Sequence, residues 1–282
     1  MQTNQLPLFF VAIVVLTCTK IVAATEPQVD QVTASDFEPV PCQTVLGTVF
    51  EVRPAWDDSI EATVQRVRTL VNEERRQGKL ICYISTPLSS RGGGHRPTNV
   101  AISQYVKRRV EAKYGRQHLW ALAPGAIENE LPVISGKRPG GGEYLYMWTQ
   151  VLAGEDGQGT DFDMVYFVGP TDMHAYFGVA GGGILGNLSA YIDERAAEDE
   201  EFKTTVADNF ENRKNFIRYY GIRASATFST GALDEWNIFR LVNRRREIGD
   251  QIAFFFNGQQ VSPGASEAPV RPGYEQRDQI QP

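Results

Sequence analysis

The sequence predicts an α/β protein, a three-layer sandwich of the flavodoxin or Rossmann type with helices on both faces of a mostly parallel central sheet. Short apolar runs alternate with longer segments that carry apolar residues at helical spacing. Successive runs are separated by enough residues for a crossover helix, which is the connection that parallel strands require. The run at residues 80–85 is nearly continuously apolar, as expected for a strand that helices cover on both sides.

Strands are predicted where apolar runs end at Gly, Pro or polar residues. In chain order, these runs lie at residues 45–52, 80–85, 119–122, 162–168, 224–228 and 252–256. Helices are predicted where apolar residues repeat every three or four positions between capping and breaking residues. They lie at residues 60–77, 98–114, 143–152, 187–220 and 233–242, and loops are predicted at 126–142 and 171–186.

The two ends of the chain are predicted to lie outside this domain. Residues 1–24 contain an apolar run followed by a small-residue cleavage pattern, which is typical of a secretory signal peptide. The run is shorter than the ~20 apolar residues of a membrane-spanning helix. We therefore expect a secreted or periplasmic protein without stable membrane insertion after cleavage; an uncleaved N-terminal membrane anchor is the alternative.

Between these ends the sequence predicts one domain. Residues 25–41 are polar and contain Pro, so they are predicted to form a linker or arm. Residues 42–258 are predicted to form a single α/β domain, with a helical insertion at about 186–221. Residues 259–282 are rich in Pro, Gln and Gly and are predicted to be a disordered tail.

Charge and cysteine content narrow the classes of ligand. With 28 basic and 34 acidic residues, the chain has a net charge of −6 and is poorly suited to bind a nucleic acid polymer. Signal cleavage would leave Cys42 and Cys82, which either form a disulfide or leave Cys82 buried in its strand as a small hydrophobe. The three histidines are far apart and no cysteine pair has metal-ligand spacing, so neither a metal nor a cofactor is expected.

The segment Ser-Thr-Gly-Ala-Leu-Asp-Glu at residues 229–235 is the strongest candidate for a functional site. It forms a small-residue turn between a predicted strand and a predicted helix, whose first turn would carry Asp234 and Glu235. Ligands of open α/β sheets bind at the carboxyl ends of strands, where such turns lie. A carboxylate there can act as a nucleophile, a base or a sugar ligand. The alternative is structural, since the helix dipole alone favours acidic residues in a first turn.

Three segments carry a resemblance to a known family. Tyr-Ile-Ser-Thr-Pro-Leu at residues 83–88 is a strand that ends in a small-residue and Pro turn, and Phe-Asp-Met-Val-Tyr-Phe-Val at 162–168 is a second strand. The turn at 229–235 is similar to a Ser-Gly-(Thr/Ala)-x-x-Glu turn. In this order, over roughly residues 80–257, they resemble the nucleoside 2-deoxyribosyltransferase-like family, which includes nucleoside and nucleotide N-glycosidases.

The resemblance implies cleavage of the base–sugar bond of a nucleoside or nucleotide. Glu235 matches the family's nucleophile, which attacks the anomeric carbon and holds the sugar covalently. Tyr83 would orient this carboxylate, and Asp163 or Asp172 would protonate the departing base. The implied catalytic residues are therefore Glu235, Tyr83 and Asp163, and the implied substrate-binding residues are Ser85, Arg91, Asp172, Ser229, Gly231 and Asp234. Members of the family often complete their sites across subunits, which would make the protein a homo-oligomer.

The chain departs from the family pattern in three respects. Asp234 competes with Glu235 for the glutamate position, the insertion after residue 169 is far longer than the family's link, and the family is typically cytosolic. The alternative function is therefore a non-catalytic secreted or periplasmic binding protein of the same fold, whose charged insertion contacts a partner. A third hypothesis is a nucleotide-binding hydrolase of another α/β class that uses the loop at 85–94 for phosphate.

Overall fold

The strands and helices are defined by a computed structural model that describes residues 32–126, 131–179 and 183–261. Its strands are β1 (Val40–Gln43), β2 (Val49–Val52), β3 (Leu80–Ser85), β4 (Leu119–Leu122), β5 (Met164–Phe167), β6 (Ala253–Phe256) and β7 (Gln259–Val261). Its helices are α1 (Asp57–Arg76), α2 (Arg96–Tyr114), α3 (Gly141–Ala153), α4 (Pro170–Tyr176), α5 (Ile184–Glu198), α6 (Glu200–Phe202), α7 (Phe210–Arg218) and α8 (Thr230–Arg244).

The central sheet contains five strands in the order β4-β3-β5-β6-β7. The first four are mutually parallel, and β7 adds an antiparallel edge. Because β3, β5 and β6 run in the same direction, their last residues, Ser85, Phe167 and Phe256, lie side by side at one edge of the sheet. The predicted α/β fold with a mostly parallel sheet is thus confirmed, and the carboxyl edge is where ligands of open sheets bind.

Helices cover both faces of this sheet, as the alternation of side chains along β3 shows. Ile81 and Tyr83 belong to the core formed with α1, α3 and α8, whereas Cys82 and Ile84 belong to the core formed with α2 and the insertion. All four side chains are fully buried. This double coverage explains why the strand is apolar at consecutive positions rather than at alternate ones.

The segment predicted as an insertion at about 186–221 is helical over most of residues 184–223. It comprises α5, α6 and α7 together with two π-helical turns, Lys203–Ala207 and Tyr219–Arg223. Buried aromatic residues of the insertion, including Phe202, Phe216 and Tyr220, join the core beside α2. Its charged middle section faces solvent, so the insertion is an integral layer of the domain with one polar face.

Two predicted elements of the chain are wrong. Residues 224–228 do not form a strand, because β6 occupies the place next to β5. The segment instead lies beyond the end of β5 as a 3-10 turn, where the Ala226 N–H donates to the Val168 carbonyl at 2.8 Å. The predicted loop at 171–186 includes most of α4, because Pro170 at the first turn and Asp172 as a capping carboxylate favour a helix there.

The predicted linker is wrong at its C-terminal end. Phe37 is buried against Trp56, with ring centroids 5.7 Å apart, and Val40 and Pro41 belong to β1. β1 pairs with β2 in a separate antiparallel hairpin, so the predicted strand at 45–52 is not part of the central sheet. Pro41 fits this short hairpin because it lacks the N–H that an interior strand would need.

The predicted tail begins too early, since β7 covers the first residues of the range 259–282. The remainder of that range and the predicted signal peptide at 1–24 lie outside the described residues. Within the described ranges, no helix combines the length and the apolar character needed to cross a membrane.

The two cysteines of the domain are free thiols rather than a disulfide. Cys82 faces the core beside α2, whereas Cys42 on β1 contacts the core on the opposite face of the sheet. The sheet therefore separates the two sulfurs. Burial raises the pKa of the Cys82 thiol, so it stays protonated as a small apolar side chain.

Candidate functional site

The helix that carries the two candidate carboxylates begins earlier than predicted. α8 starts at Thr230 instead of residue 233, and the Ser229 hydroxyl oxygen caps it by accepting from the Ala232 N–H at 3.3 Å. Asp234 and Glu235 therefore lie in the second turn. Because the dipole effect falls off within the first turn, it does not account for these two carboxylates.

The Glu235 carboxylate is held by two hydroxyl groups from the central strand. Tyr83 Oη donates to Glu235 Oε1 at 2.7 Å, and Ser85 Oγ donates to Oε2 at 2.5 Å. Tyr83 and Ser85 are two positions apart on β3, so both side chains point towards α8. Each carboxylate oxygen accepts one hydrogen bond and retains a further lone pair for a ligand.

The surroundings of Glu235 change its protonation. Burial raises the pKa of Glu235 to about 7, against the opposing effect of the hydrogen bonds from Ser85 and Tyr83. Burial, together with the neighbouring Glu235 charge, raises the pKa of Tyr83 well above its usual value, so Tyr83 remains a hydrogen-bond donor. A carboxylate poised near neutral pH at the edge of a sheet is a recognised sign of a functional site.

Glu235 lines an open cavity of about 450 Å³, a volume in the range of small-molecule sites. One wall is the loop after β3, which contributes Thr86 and residues 88–90. A second wall comes from the start of α3 and the residues before it, and a third from the start of α8 at residues 229–232. The cavity thus lies at the carboxyl edge of the sheet, where three connecting segments meet.

An ion pair between a partly exposed arginine and a buried glutamate fixes the wall formed by α3. Arg53 Nε donates to Glu143 Oε1 at 2.6 Å and Arg53 Nη2 donates to Oε2 at 3.0 Å, while the Gly140 N–H donates to Oε2 at 2.7 Å. Burial raises the pKa of Glu143, but these hydrogen bonds together outweigh it and hold the pKa below its usual value. Gly140 lines the cavity, so the pair connects the β2 end of the hairpin to the site.

Several predicted site residues meet at this cavity. Ser229 and Gly231 line it beside Glu235, as the resemblance implied. Ser85 lies beneath Glu235 and bonds to its carboxylate, which makes it a positioning residue rather than a substrate contact. Asp234 is 1% exposed and buried within the domain, so Glu235 and not Asp234 is the carboxylate of the cavity. The Arg91 side chain lies outside the described part of the structure.

Asp163 is not at this site, and its predicted catalytic role is wrong. It precedes β5, at the amino edge of the sheet, whereas Glu235 lies at the carboxyl edge. Its carboxylate accepts from the Ile81 N–H at 2.7 Å and pairs with Arg75 at 3.2 Å. Asp163 thus anchors the start of β3 to α1.

Asp163→Asn is therefore expected to lower stability by about 1 kcal/mol, since the Arg75 pair is partly exposed. Asparagine keeps an oxygen for the Ile81 N–H. Thermal unfolding of the purified variant checks this expectation. A loss of about 3 kcal/mol or more would show that Asp163 behaves as the partner of a buried ion pair.

Asp172 is also absent from the cavity, and its predicted role is wrong. It is buried at the start of α4, where it accepts from Tyr166 Oη at 2.9 Å and from the Gly169 N–H at 3.1 Å. Tyr166 belongs to the core on the α2 side of the sheet, which is the face opposite Glu235. Asp172 therefore caps a helix and satisfies a buried tyrosine.

Sequence reasoning missed part of the cavity wall. Tyr144 and Trp148 lie one turn apart on α3 and both line the cavity, where Trp148 also contacts the Tyr83 ring edge-on at 5.7 Å between centroids. Arg96, at the start of α2, contributes an exposed positive charge to the lining. The i, i+4 spacing of Tyr144 and Trp148 in the sequence indicates one helix face, but it does not distinguish a cavity wall from a buried core face.

Comparisons of the chain with family models, with curated proteins and with solved structures each found no match. In the described ranges, no group of three His, Cys, Asp or Glu side chains is arranged to hold a metal ion. The described residues thus form an α/β fold in which a carboxylate bound by two hydroxyl groups lines a cavity on the carboxyl edge of the sheet.

Proposed function

We propose that the protein is an exported N-glycosidase or glycosyl-transferring enzyme that cleaves the base–sugar bond of a nucleoside or nucleotide, with Glu235 as nucleophile. The observation that carries this proposal is the Glu235 carboxylate held by Tyr83 and Ser85 at the floor of an open cavity. The export component depends on the signal-peptide pattern at residues 1–24 and stays a prediction.

The proposed reaction has two steps. An ionised Glu235 oxygen bonds to C1′ of the sugar as the C1′–N bond breaks, and the electron pair of that bond leaves with the base, which takes up a proton from water in the cavity. Water or a second base then attacks C1′ and displaces Glu235. The two displacements at C1′ retain its configuration. Among the described cavity-lining residues Glu235 is the only carboxylate, which supports a nucleophilic role over an acid–base pair of carboxylates.

The lining of the cavity suits a nucleoside or nucleotide. Tyr144, Leu145 and Trp148 form an apolar, largely aromatic wall against which a planar base can stack. Ser229 and Gly231, at the start of α8, present a hydroxyl and backbone groups suited to sugar or anionic oxygens. Glu235 belongs to α8, as does this polar wall. A nucleoside whose base stacks on the aromatic wall would therefore place its C1′ between that wall and Glu235.

The electrostatics of Glu235 favour the enzyme over a non-catalytic binding protein of the same fold. Its hydrogen-bond partners in the described part of the chain are hydroxyl groups rather than cations. A structural carboxylate in such a position is normally neutralised by an arginine or lysine, as Glu143 is by Arg53. Burial raises the pKa of Glu235 to about 7, which destabilises the ionised folded state, and groups perturbed in this way cluster at functional sites.

The proposal is tested by incubating the purified protein, without the signal segment, with a panel of ribo- and deoxyribonucleosides and their 5′-monophosphates. Chromatography for free base is expected to show release from at least one substrate. A protein that binds a substrate of the panel without releasing base would support the non-catalytic alternative. The absence of both binding and release would remove the nucleoside proposal altogether.

Tyr83→Phe provides a sharper test of the site's electrostatics. The Tyr83 hydroxyl stabilises the ionised form of Glu235, so its removal raises the pKa of Glu235 further. In the wild type, turnover is expected to rise with pH through about 7 as the nucleophile ionises. In the variant, the rise is expected about one pH unit higher, with a roughly fivefold slower rate at pH 7.

Tyr166→Phe is the matched control for this variant. Tyr166 also donates its hydroxyl to a carboxylate, Asp172, but on the opposite face of the sheet. Its pH–rate profile is expected to overlay that of the wild type. Equal shifts in the two variants would show that Tyr83 acts through general destabilisation and not through Glu235.

A further inference from the structure

The helical insertion contacts the loop that forms one wall of the cavity. We call this loop, residues 86–95, the cavity lip; Ser89 and Ser90 of the lip line the cavity. The lip connects β3, which carries Tyr83 and Ser85, to α2. A displacement of the lip would therefore reshape the wall of the cavity that Ser89 and Ser90 form.

The lip and the insertion approach each other closely at two glycines. A Cβ atom added to Gly93 would lie 2.5 Å from the backbone carbonyl oxygen of Asn215 on α7. A Cβ added to Gly94 would lie 3.2 Å from the Tyr219 ring. Gly93 also has a φ of +105°, which L-residues with side chains rarely adopt. Glycine at both positions thus permits direct contact between the lip and the insertion.

A chain of hydrogen bonds crosses this contact from the insertion to the lip. Tyr220, which is 1% exposed, donates its hydroxyl to Asn99 Oδ1 at 2.7 Å and accepts from the His95 N–H at 3.0 Å. Asn99, which is fully buried on α2, donates from Nδ2 to the Ser89 carbonyl at 3.1 Å. The insertion is thereby connected through two buried side chains to a residue of the cavity wall.

We propose that the insertion is a positioning element of the site, in which Tyr220 and Asn99 hold the cavity lip in the conformation that binds substrate. This assigns a role to a segment that the sequence suggested as a surface for a partner. The substrate part of the proposal rests on the proposed function; the conformational part does not. The hydrogen bonds that hold the Glu235 carboxylate come from β3 and not from the lip, so loosening of the lip should affect substrate binding more than the chemical step.

Tyr220→Phe tests the proposal, since it removes one hydroxyl and keeps the ring in its aromatic cluster. Amide hydrogen exchange of the lip, measured on the substrate-free protein, is expected to speed up about tenfold, the equivalent of one net hydrogen bond. With substrate, KM is expected to rise about tenfold while kcat stays within about twofold. Asn99→Ala should accelerate exchange of the same peptide, and the double variant should add little to the larger single effect.

Tyr191→Phe is the matched control. Tyr191 lies on α5 in the same aromatic cluster, but its hydroxyl is 3.4 Å from that of Tyr176 and does not approach the lip. In Tyr191→Phe, the amide hydrogen exchange of the cavity lip and the KM are expected to match those of the wild type. Unchanged lip exchange in Tyr220→Phe, or lip exchange that rises equally in Tyr191→Phe, would overturn the proposal. A wild-type protein without base release would remove the proposed function, while the exchange data would still decide the role of Tyr220.

Discussion

Glu235→Gln is expected to lower base release by at least about 10³-fold, since glutamine cannot form the glycosyl ester through which the proposed reaction passes. The amide fits the same place. Its oxygen can accept from Tyr83 and its NH₂ group can donate to the Ser85 hydroxyl, so both partners on β3 remain satisfied. Initial rates at saturating substrate, measured for the wild type and the variant side by side, check this expectation.

The same substitution is expected to stabilise the protein above neutral pH. The pKa of Glu235 is raised from 4.5 to about 7 by burial, so the folded state binds a proton more tightly than the unfolded state does. Stability from this group is therefore full below about pH 4.5 and is lost as pH rises through about 7, by roughly 3 kcal/mol at most. Glutamine does not ionise, so the variant does not lose this stability as the pH rises. Thermal unfolding at pH 5 and pH 8 should show the variant gaining on the wild type at the higher pH.

Base release and thermal unfolding of Glu235→Gln, measured together, separate an effect on catalysis from an effect on folding. A stable variant without activity identifies Glu235 as catalytic, because the loss of turnover then occurs without any loss of structure. Retained turnover in Glu235→Gln would contradict the proposed mechanism directly. A variant that is less stable than the wild type at pH 8 would show that the ionised Glu235 makes a favourable structural contact.

Arg53→Met is expected to have the largest effect on stability, about 3–5 kcal/mol, because it leaves the buried Glu143 carboxylate without its cation. The side chain of Glu143 is 3% exposed and that of Arg53 is 21% exposed. Arg53 also lies over the Trp56 ring at 4.3 Å, and this contact is lost as well. The midpoint of thermal unfolding at pH 7 should fall by roughly 10 °C.

The loss of stability in Arg53→Met is expected to become smaller as the pH falls. In the wild type, the pKa of Glu143 lies below its usual value, so its contribution to stability is present at neutral pH and is lost as the pH falls. Without Arg53 the pKa of Glu143 rises, and a protonated Glu143 no longer needs a cation. The difference between variant and wild type should therefore narrow towards pH 4.

Arg195→Met is the control for this variant, because Arg195 forms a comparably short pair, 2.8 Å to Asp199, on the exposed surface of the insertion. Its loss should cost less than about 1 kcal/mol. If Arg53→Met cost no more than this control, Glu143 would not depend on Arg53, and the start of α3 would be held by other contacts.

The central sheet and the Glu235 site were accessible from sequence for specific physical reasons. The uninterrupted apolar run of β3 indicates a strand covered on both faces, and period-two alternation then brings Tyr83 and Ser85 to the same side. That Glu235 would lie beside Tyr83, 152 residues away in the chain, was predicted only from the resemblance to a family. Local periodicity contains no information about a contact of that range.

The errors also have identifiable physical origins. Asp163 directly precedes β5. In a parallel sheet, a residue before a strand lies at the amino edge, opposite the edge where ligands bind, so Asp163 could have been excluded from the site by its position in the sequence. The apolar residues at 224–228 have strand-like composition, but the sheet position that they would take belongs to β6. The connection from Tyr220 through Asn99 to the cavity lip depends on tertiary packing of the insertion and left no sequence signal.

The most direct test of the account is the detection of a glycosyl group on Glu235. Wild-type protein should be mixed with a substrate from the nucleoside panel, quenched in acid during turnover, digested and analysed by mass spectrometry. The peptide that contains Glu235 is expected to gain the mass of the glycosyl group, and the same peptide from Glu235→Gln should not. An active enzyme that shows no adduct and releases sugar with inverted configuration would contradict the account, because water would then attack C1′ directly.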